Sequence, residues 1–543
     1  MREVKILNLL IRYIILISLL FIPVIILFAG EEFQVNTYIE KHQMDPSIAT
    51  DAEGNFVITW DSELQDDKYW SGIFAQRFDK TKNRIGNEFH VNTFTDKVQA
   101  YPSVAMTASG EFIISWTSYY QTKDQVSIYA QRYDNQGNPV GDEFEVDTKG
   151  YRNDYSDIAI DDDGNFVITW TSIYSEGYSD VYAYCFDSNG NKIDDEFLVN
   201  TETSYMQQYP AISMDGKGNF IIVWESFPNY YPPDENRWDI FAQRFDKYGN
   251  KMGDEFLVNT NQVGSQRLPD IVMDADGNFV IVWNGIVYLP DNSHHWDVFA
   301  QRYDKDGNRI DGEFRVNSYN IENQFDPSIA MNNNGDFVIT WDSFNPNGSD
   351  YDIYAKKYDK FGYQLGNEFL VNTHAQDIQA TPSIALAENN NFVIAWNSQF
   401  QDGSGYGVFA RLFENEFDSY INFELGIQPE DQLIFTDGDK ITLTIDLKTP
   451  PTENSADIYL AFLNPDKKLY FGLEWSTTIN PALSNLAFPP DFHQSDITLM
   501  EFKIPTEKPS IYDPGTYTFA IVAAKHDKMG FISNISTVSF TVE

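Results

Sequence analysis

The sequence predicts an all-β fold, namely a seven-bladed β-propeller closed by an N-terminal strand and followed by an Ig-like β-sandwich. Short turns rich in Asp, Asn and Gly recur along the chain, and residues 31–417 show no helical 3.6-residue apolar stripe. One strand-like segment recurs at intervals of 54 to 59 residues, and its seven copies end in Trp60, Trp116, Trp170, Trp224, Trp283, Trp341 and Trp396. Seven copies of a short-stranded unit predict seven four-stranded blades.

Each repeat contains four extended segments, as the first copy illustrates. PSIAT (46–50) and NFVITW (55–60) are joined by the turn DAEG, and IFAQRFD (73–79) precedes EFHVNT (88–93). Their β-branched and aromatic residues favour strands, and the Asp, Asn and Gly between them favour tight hairpins. We therefore expect an antiparallel meander in every repeat.

The chain begins with a segment that its last repeat lacks. EEFQVNT (31–37) matches the fourth segment of the repeats, whereas the seventh repeat has only its first three segments, near 382–387, 391–396 and 407–413. The sequence therefore predicts that Phe33–Thr37 supplies the fourth strand of the last blade. This pairing would close the ring and remove its open sheet edges.

The two ends of the chain differ from the repeats. Basic residues precede an apolar run at Tyr13–Ala29, so residues 1–30 predict either a cleaved signal peptide or an uncleaved membrane anchor. Seven alternating segments after Ile421 predict an Ig-like sandwich at 418–543, which would lack a disulfide because Cys185 is the only cysteine. The propeller is assigned to 31–417, and the predicted location is secreted or cell surface.

The chain is strongly acidic, with a formal net charge of −44 and a pI near 4.3. Such a surface repels nucleic acid and anionic lipid, so a nucleic-acid partner is excluded. Membrane contact is expected only through an uncleaved N-terminal segment. A glycan or an extracellular protein is the expected partner.

The loops after the second strand of each repeat are long and differ between repeats, which is typical of a binding face on a rigid scaffold. Aromatic rings beside Asp, Asn and Glu suit sugars, although rings that only pin the loops would give the same pattern. The candidate ligand-binding residues are Trp70, Tyr119, Tyr120, Tyr174, Tyr230, Tyr231, Trp238, Tyr288, Trp296, Tyr351 and Tyr406.

Three carboxylates directly follow the repeated tryptophans: Asp61, Glu225 and Asp342. They give a rival interpretation as catalytic groups of a glycosidase or lyase, since glycoside hydrolysis needs two carboxyl groups flanking the bond. No cofactor and no metal ligand is predicted. Turns such as DDDGN (161–165) leave calcium open, but none completes an EF-hand loop.

The repeated unit G-N-F-V-[IV]-x-W, A-Q-R-[FY]-D and G-x-E-F-x-V-N-T resembles repeats of bacterial secreted and cell-surface proteins, including adhesin-like chains associated with calcium. The resemblance covers about 31–417 and implies export and a surface role; it transfers no catalytic residue. The main expectation is therefore a non-enzymatic binding or adhesion protein, with an enzyme left uncertain. The alternatives are a polysaccharide-processing enzyme and a structural cell-surface component.

Overall fold

A computed structural model describes residues 30–66, 69–122, 125–147, 152–175, 177–227, 237–289, 293–318, 322–344 and 350–414, together with strands within 440–542. Every regular element in these ranges is a β-strand. By internal contacts the chain divides into two compact parts, Met1–Glu416 and Phe417–Glu543. Within the described ranges, no helix has the length and apolarity that a membrane span requires.

The described residues of the first part form seven antiparallel groups of four strands, here called units 1 to 7. The first four are unit 1, β2 (Gln43–Thr50), β3 (Phe56–Glu63), β4 (Ser71–Phe78) and β5 (Arg84–His90); unit 2, β6 (Gln99–Met106), β7 (Phe112–Tyr119), β8 (Val126–Tyr133) and β9 (Phe144–Glu145); unit 3, β10 (Arg152–Ile160), β11 (Phe166–Ser175), β12 (Tyr178–Phe186) and β13 (Lys192–Leu198); and unit 4, β14 (Met206–Met214), β15 (Phe220–Phe227), β16 (Asp239–Phe245) and β17 (Phe256–Leu257).

The remaining groups follow the same order. They are unit 5, β18 (Gln266–Met273), β19 (Phe279–Tyr288), β20 (His294–Tyr303) and β21 (Arg309–Arg315); unit 6, β22 (Gln324–Met331), β23 (Phe337–Phe344), β24 (Tyr351–Tyr358) and β25 (Phe369–Leu370); and unit 7, β26 (Gln379–Leu386), β27 (Phe392–Gln399), β28 (Tyr406–Phe413) and the N-terminal β1 (Phe33–Gln34). A single parallel bridge between Ser179 and Met206 joins the sheets of units 3 and 4. These small antiparallel sheets make a propeller-like all-β fold.

The predicted pairing of the N-terminal segment with the last repeat is confirmed. Phe33 is paired with Ala410, and the Val35 amide donates to the Val408 carbonyl at 2.8 Å. The Asn36 side chain accepts from the Val408 amide at 2.9 Å, as Asn92 of unit 1 accepts from Ile73 at 2.6 Å. The segment therefore occupies in unit 7 the place that the EFxVNT segments occupy in their own units.

Each apolar core lies between two neighbouring units, which explains the repeated tryptophan. The seven tryptophans are at most 1 % exposed, and one cluster joins Phe56 and Trp60 of unit 1 to Ala395 of unit 7. In unit 6 the buried Trp341 Nε1 donates to Gln324 Oε1 on the first strand at 3.0 Å. The tryptophans thus pack units together, as the sequence indicates.

Replacing Gln324 by Leu should lower the free energy of unfolding by about 1–3 kcal/mol, because Trp341 Nε1 would stay buried without an acceptor. The double variant Gln324→Leu/Trp341→Phe removes donor and acceptor together, so its loss should be smaller than the sum of the two single losses. Urea unfolding of the four proteins measures this coupling, and strictly additive losses would argue against the bond.

The short turns are satisfied hairpins. In the first one, the Asp51 carboxylate accepts from the backbone amide of Asn55 at 2.8 Å and from its side-chain amide at 2.7 Å. Asn55 Oδ1 also accepts from the Lys80 amide at 3.2 Å, which joins the first and third turns of unit 1 on one rim. The long loops after the second strands therefore start at the opposite rim, as predicted.

The C-terminal part is described through its strands alone: β29 (Lys440–Lys448), β30 (Ser455–Leu463), β31 (Leu469–Phe471), β32 (Leu483–Ala487), β33 (His493–Lys503), β34 (Gly515–Lys525) and β35 (Ser536–Val542). β29 pairs with β33, and the order β31-β30-β34-β35 forms a second sheet in which β32 also pairs with β30. The predicted strand at 421–427 and the N-terminal apolar segment lie outside the described residues.

Candidate functional site

The first strands of the seven units surround one central opening. At the rim of the short turns, a cavity of about 320 Å³ is lined by residues of every unit, among them Asp51, Ala108, Asp162, Asp215, Ala275, Asn333 and Ala387. A single cavity can take its walls from all seven units only if their first turns converge, so the first strands are the innermost ones.

A β-bulge interrupts each innermost strand near the long-loop rim. In unit 1 it falls between Met44, which is opposite Asp61, and Ser47. One residue in each bulge has a positive φ between 47° and 56°, a backbone conformation that is strained for side chains other than glycine and clusters at functional sites. These residues are all half-buried, and we call them the mouth ring: Asp45, Tyr101, Tyr155, Tyr209, Leu268, Asp326 and Thr381.

Carboxyl groups from units 1 and 6 occupy one side of the mouth ring. Behind Asp45 lies Asp61, whose burial, together with the charge of Asp45, raises its pKa well above the ordinary value. Burial also raises the pKa of Asp45, while a hydrogen bond from Asp61 lowers it. The two acids share one site, and the hydrogen bond between them favours ionisation of Asp45 over ionisation of Asp61.

A second acid pair faces the first across unit 7. Burial, followed by the charge of Asp45, raises the pKa of Asp326 to about 6. Burial and then the charge of Asp326 raise the pKa of Asp342 well above its ordinary value, although the amides of Thr381 and Phe325 donate to it. Asp326 can therefore keep a proton at mildly acidic pH where an ordinary aspartate has lost it.

Unit 7 fixes the space between the two acid pairs. Its mouth-ring residue Thr381 donates its backbone N–H to Asp342 of unit 6, and its hydroxyl accepts from the side-chain amide of Asn397. Asn397 is 5 % exposed and follows Trp396 directly. In four units the residue after the tryptophan accepts from a backbone N–H of the mouth ring in the next unit: Thr171 from Tyr209, Glu225 from Leu268, Asn284 from Asp326 and Asp342 from Thr381.

Tyrosines from units 2, 3 and 4 form the other side of the mouth. The Tyr101 and Tyr155 ring centroids are 4.8 Å apart, and those of Tyr155 and Tyr209 are 4.5 Å apart. Their hydroxyl groups are also hydrogen-bonded in sequence, and burial raises the pKa of each. The wall opposite the acids is therefore aromatic, polar at its hydroxyls and uncharged.

The structure distributes the predicted carboxylates over different roles. Asp61 and Asp342 lie behind the mouth, 6 % and 3 % exposed, and the half-buried Asp45 and Asp326 face the opening. Asp61 is hydrogen-bonded to Asp45, and the charge of Asp326 acts on Asp342. Glu225 is instead bound by Arg267, with 2.7 Å between Arg267 Nη2 and Glu225 Oε1. Its charge is neutralised, and it positions the mouth without taking part in an acid pair.

Two of the predicted aromatic residues approach the mouth, one on each side. Tyr119 donates its hydroxyl to Asp154 Oδ1 at 3.3 Å, next to the mouth-ring Tyr155. The Tyr351 ring centroid is 6.2 Å from that of Phe325, the neighbour of Asp326, and burial and then the charges of Asp342 and Asp326 raise the pKa of Tyr351.

The other predicted aromatic residues lie farther out on the long-loop rim or outside the described residues. Tyr120 and Tyr288 are 51 % and 53 % exposed, and Tyr174 is 38 % exposed. Trp70, Trp238, Trp296 and Tyr406 are half-buried against other side chains, for example Tyr406 at 5.7 Å from the His42 ring. Tyr230 and Tyr231 lie outside the described residues.

A metal centre finds no support in the part of the chain that the structure describes. No group of three or more His, Cys, Asp or Glu side chains is placed there to hold a metal ion. The turn DDDGN, which left calcium open, uses both Asp161 oxygens to accept from Asn165, at 2.8 Å each. Hairpin chemistry accounts for that sequence.

No protein-family model matches the sequence, and no curated protein matches it. Solved structures similar to the chain include an α-L-arabinanase of Penicillium chrysogenum, 13 % identical over 58 % of this chain and 93 % of that one, with a TM-score of 0.42. An α-L-arabinofuranosidase of Fusarium graminearum is 10 % identical over 71 % and 98 %, with a TM-score of 0.40. The polysaccharide lyase Uly1 is 10 % identical over 70 % and 91 %, with a TM-score of 0.43.

These comparisons correct two expectations. The expectation of a non-enzymatic binding or adhesion protein is wrong by this comparison, because the named neighbours are glycosidases and a lyase. The expectation that the chain is more readily a non-enzyme is wrong for the same reason. The polysaccharide-processing alternative agrees better with them. Identities of 10 to 13 % transfer no residue role to this chain.

Proposed function

We propose that the chain is a glycoside hydrolase that cleaves uncharged glycans at the mouth of a closed seven-bladed propeller. The observation that carries this proposal is the pair Asp45 and Asp326, two half-buried carboxyl groups with raised pKa on strained bulges around one opening. Glycoside hydrolysis needs one carboxylic acid to protonate the leaving oxygen and one carboxylate on the other side of the bond.

The two carboxyl groups take different roles because their neighbours differ. Asp326 has a pKa raised to about 6, so it holds the proton that a general acid has to deliver. Burial also raises the pKa of Asp45, but the hydrogen bond that it accepts from Asp61 offsets part of this rise, which suits a base or nucleophile. Asp61 and Asp342 are positioning residues, and the Tyr101–Tyr155–Tyr209 wall is where a sugar ring would stack.

An uncharged substrate follows from the charges at the mouth. Asp45 and Asp326 face one side of the mouth, with Asp61 and Asp342 behind them. Two arginines near the mouth are paired, Arg267 with Glu225 and Arg152 with Asp154 at 2.5 Å. An acidic sugar would meet like charge there, and these two arginines of the described residues are already engaged by carboxylates. The same pairing disfavours a lyase, which has to neutralise a uronate carboxylate.

The remaining features of the chain complete this proposal. Seven four-stranded units, the strand β1 in unit 7 and the shared cavity support a closed seven-bladed ring at 31–417. The two strand groups within 440–542 support an Ig-like sandwich at 418–543. The basic and apolar residues 1–30 support export to the cell surface or the medium.

The direct test is release of reducing ends from a panel of neutral polysaccharides and their aryl glycosides. We expect turnover that falls as the pH rises through about 6, because Asp326 loses the proton it must donate, and that falls again at low pH as Asp45 becomes protonated. A pH–rate profile of kcat/KM measures both limbs. Turnover that stays constant between pH 5 and 8 would contradict the assignment of Asp326.

A further inference from the structure

An arc of aromatic rings leads away from the mouth along the long-loop rim of units 3 and 4. It contains Tyr174, Tyr178, Tyr205, Phe227 and Trp238. Consecutive ring centroids are 6.3, 5.7, 6.4 and 5.1 Å apart, and Tyr178 and Tyr205 are stacked within 18°. Tyr174 and Tyr178 are 38 % and 43 % exposed, so the outer end of the arc offers its rings to solvent.

The arc is continuous with the mouth through one arginine. Arg267 Cζ lies 4.8 Å from the Trp238 ring centroid, and Arg267 binds Glu225. The charges of Glu225 and Arg267 both act on the hydroxyl of Tyr209, the last ring of the mouth wall. A row of contacts therefore runs from Arg267, whose charge acts on the Tyr209 hydroxyl, to the exposed Tyr178.

We propose that this arc binds further sugar units of the same glycan, so that the substrate is a neutral polysaccharide or a long oligosaccharide. Rings in a row fit the apolar C–H faces of successive sugars, whereas a single small sugar would fill the mouth alone. The cations along the arc are paired, Arg237 with Asp239 at 3.5 Å and Arg267 with Glu225, so the arc shares the preference of the mouth for an uncharged chain. The inference deepens the proposed hydrolase and rests on it for the site of cleavage.

The test measures binding apart from turnover. Affinity electrophoresis is run in gels that contain soluble arabinan, xylan, galactomannan or β-glucan, with the Asp326→Asn protein so that no polymer is consumed. We expect retardation by at least one polymer, and about tenfold weaker binding after Tyr178→Ala is added. Tyr178→Phe keeps the ring and should bind as before, which separates loss of stacking from loss of the hydroxyl or of folding.

A matched control comes from the opposite rim. Tyr248 is 61 % exposed and belongs to a short turn, so Tyr248→Ala should leave the retardation unchanged. Binding that depends on Tyr178 supports the arc whether or not the wild-type chain hydrolyses the polymer. If none of the four polymers retards the protein, or if the Tyr178→Ala protein is retarded equally, the proposal that the arc binds glycan is wrong. The roles of Asp45 and Asp326 are tested separately by the turnover assay. A protein partner that needs Tyr178 in place of a glycan would overturn it as well.

Discussion

Replacing Asp326 by Asn should lower kcat for glycan hydrolysis roughly 10²–10⁴-fold, the usual contribution of a positioned general acid. Asn keeps the size of the side chain, and the positive φ of 47° is tolerated by Asn better than by most residues. Folding should therefore survive, and the loss should fall on kcat rather than on KM. The measurement is steady-state release of reducing ends from the polysaccharide that wild type cleaves.

A change of leaving group separates the acid from the base. An aryl glycoside with a strongly acidic phenol leaves without protonation, so Asp326→Asn should recover most of its rate on such a substrate. Asp45→Asn should stay inactive on it, because the base or nucleophile is still missing. Equal defects of both variants on both substrates would contradict the separate roles given to Asp45 and Asp326.

The chain contains its own control for a buried acid. Asp270 also lies on an innermost strand, and burial raises its pKa to about 7, but its oxygens accept from the amides of Ile271 and Ile329 at 2.8 and 3.0 Å. Asp270 lies beyond the bulge, outside the mouth ring. Asp270→Asn should lower the free energy of unfolding while kcat stays within a small factor of wild type. A fall in kcat as large as that of Asp326→Asn would instead indicate that the catalytic site lies farther along the opening, at Asp270.

The architecture could be predicted from the sequence because the same pattern of four strand-like segments occurs seven times. A tryptophan after an alternating strand packs between neighbouring units, and the surplus segment at 31–37 has only the incomplete last repeat to pair with. Both inferences need only spacing and counting. The location of the rims follows from the meander, since alternate turns of antiparallel strands lie at the same end.

The mouth ring could not be predicted because nothing in the repeat pattern marks the β-bulge that forms it. Its residues fall inside a segment that reads as an ordinary first strand, and the bulge that turns them toward the opening depends on tertiary packing. The position after Trp60 singles out Asp61, but its partner Asp45 belongs to the preceding strand. A signal was present: six of the seven ring residues precede a proline, whereas Tyr155 precedes a serine, and the ring residue varies from unit to unit.

Removing the N-terminal strand should destabilise the whole ring. A chain that begins at Tyr38 should lose roughly 5 kcal/mol of unfolding free energy relative to one that begins at Gly30, since it loses the buried Val35, the packing of Phe33 and several backbone hydrogen bonds to β28. The measurement is thermal and urea unfolding of the two chains. The open edge of β28 should also promote association of the shorter chain at higher concentration.

Complementation distinguishes loss of this strand from general damage. A synthetic peptide of residues 30–37 should bind the shorter chain by adding a strand beside β28 and should restore most of its melting temperature. A peptide with Asn36→Ala should restore less, because Val408 N–H would lose its acceptor, and Asn259→Ala in unit 4 provides the matched loss for Ile240 N–H. Equal melting temperatures for the two chains would show that β1 does not hold the ring closed. Ring closure by β1 would then not explain how Asp45 is held opposite Asp326.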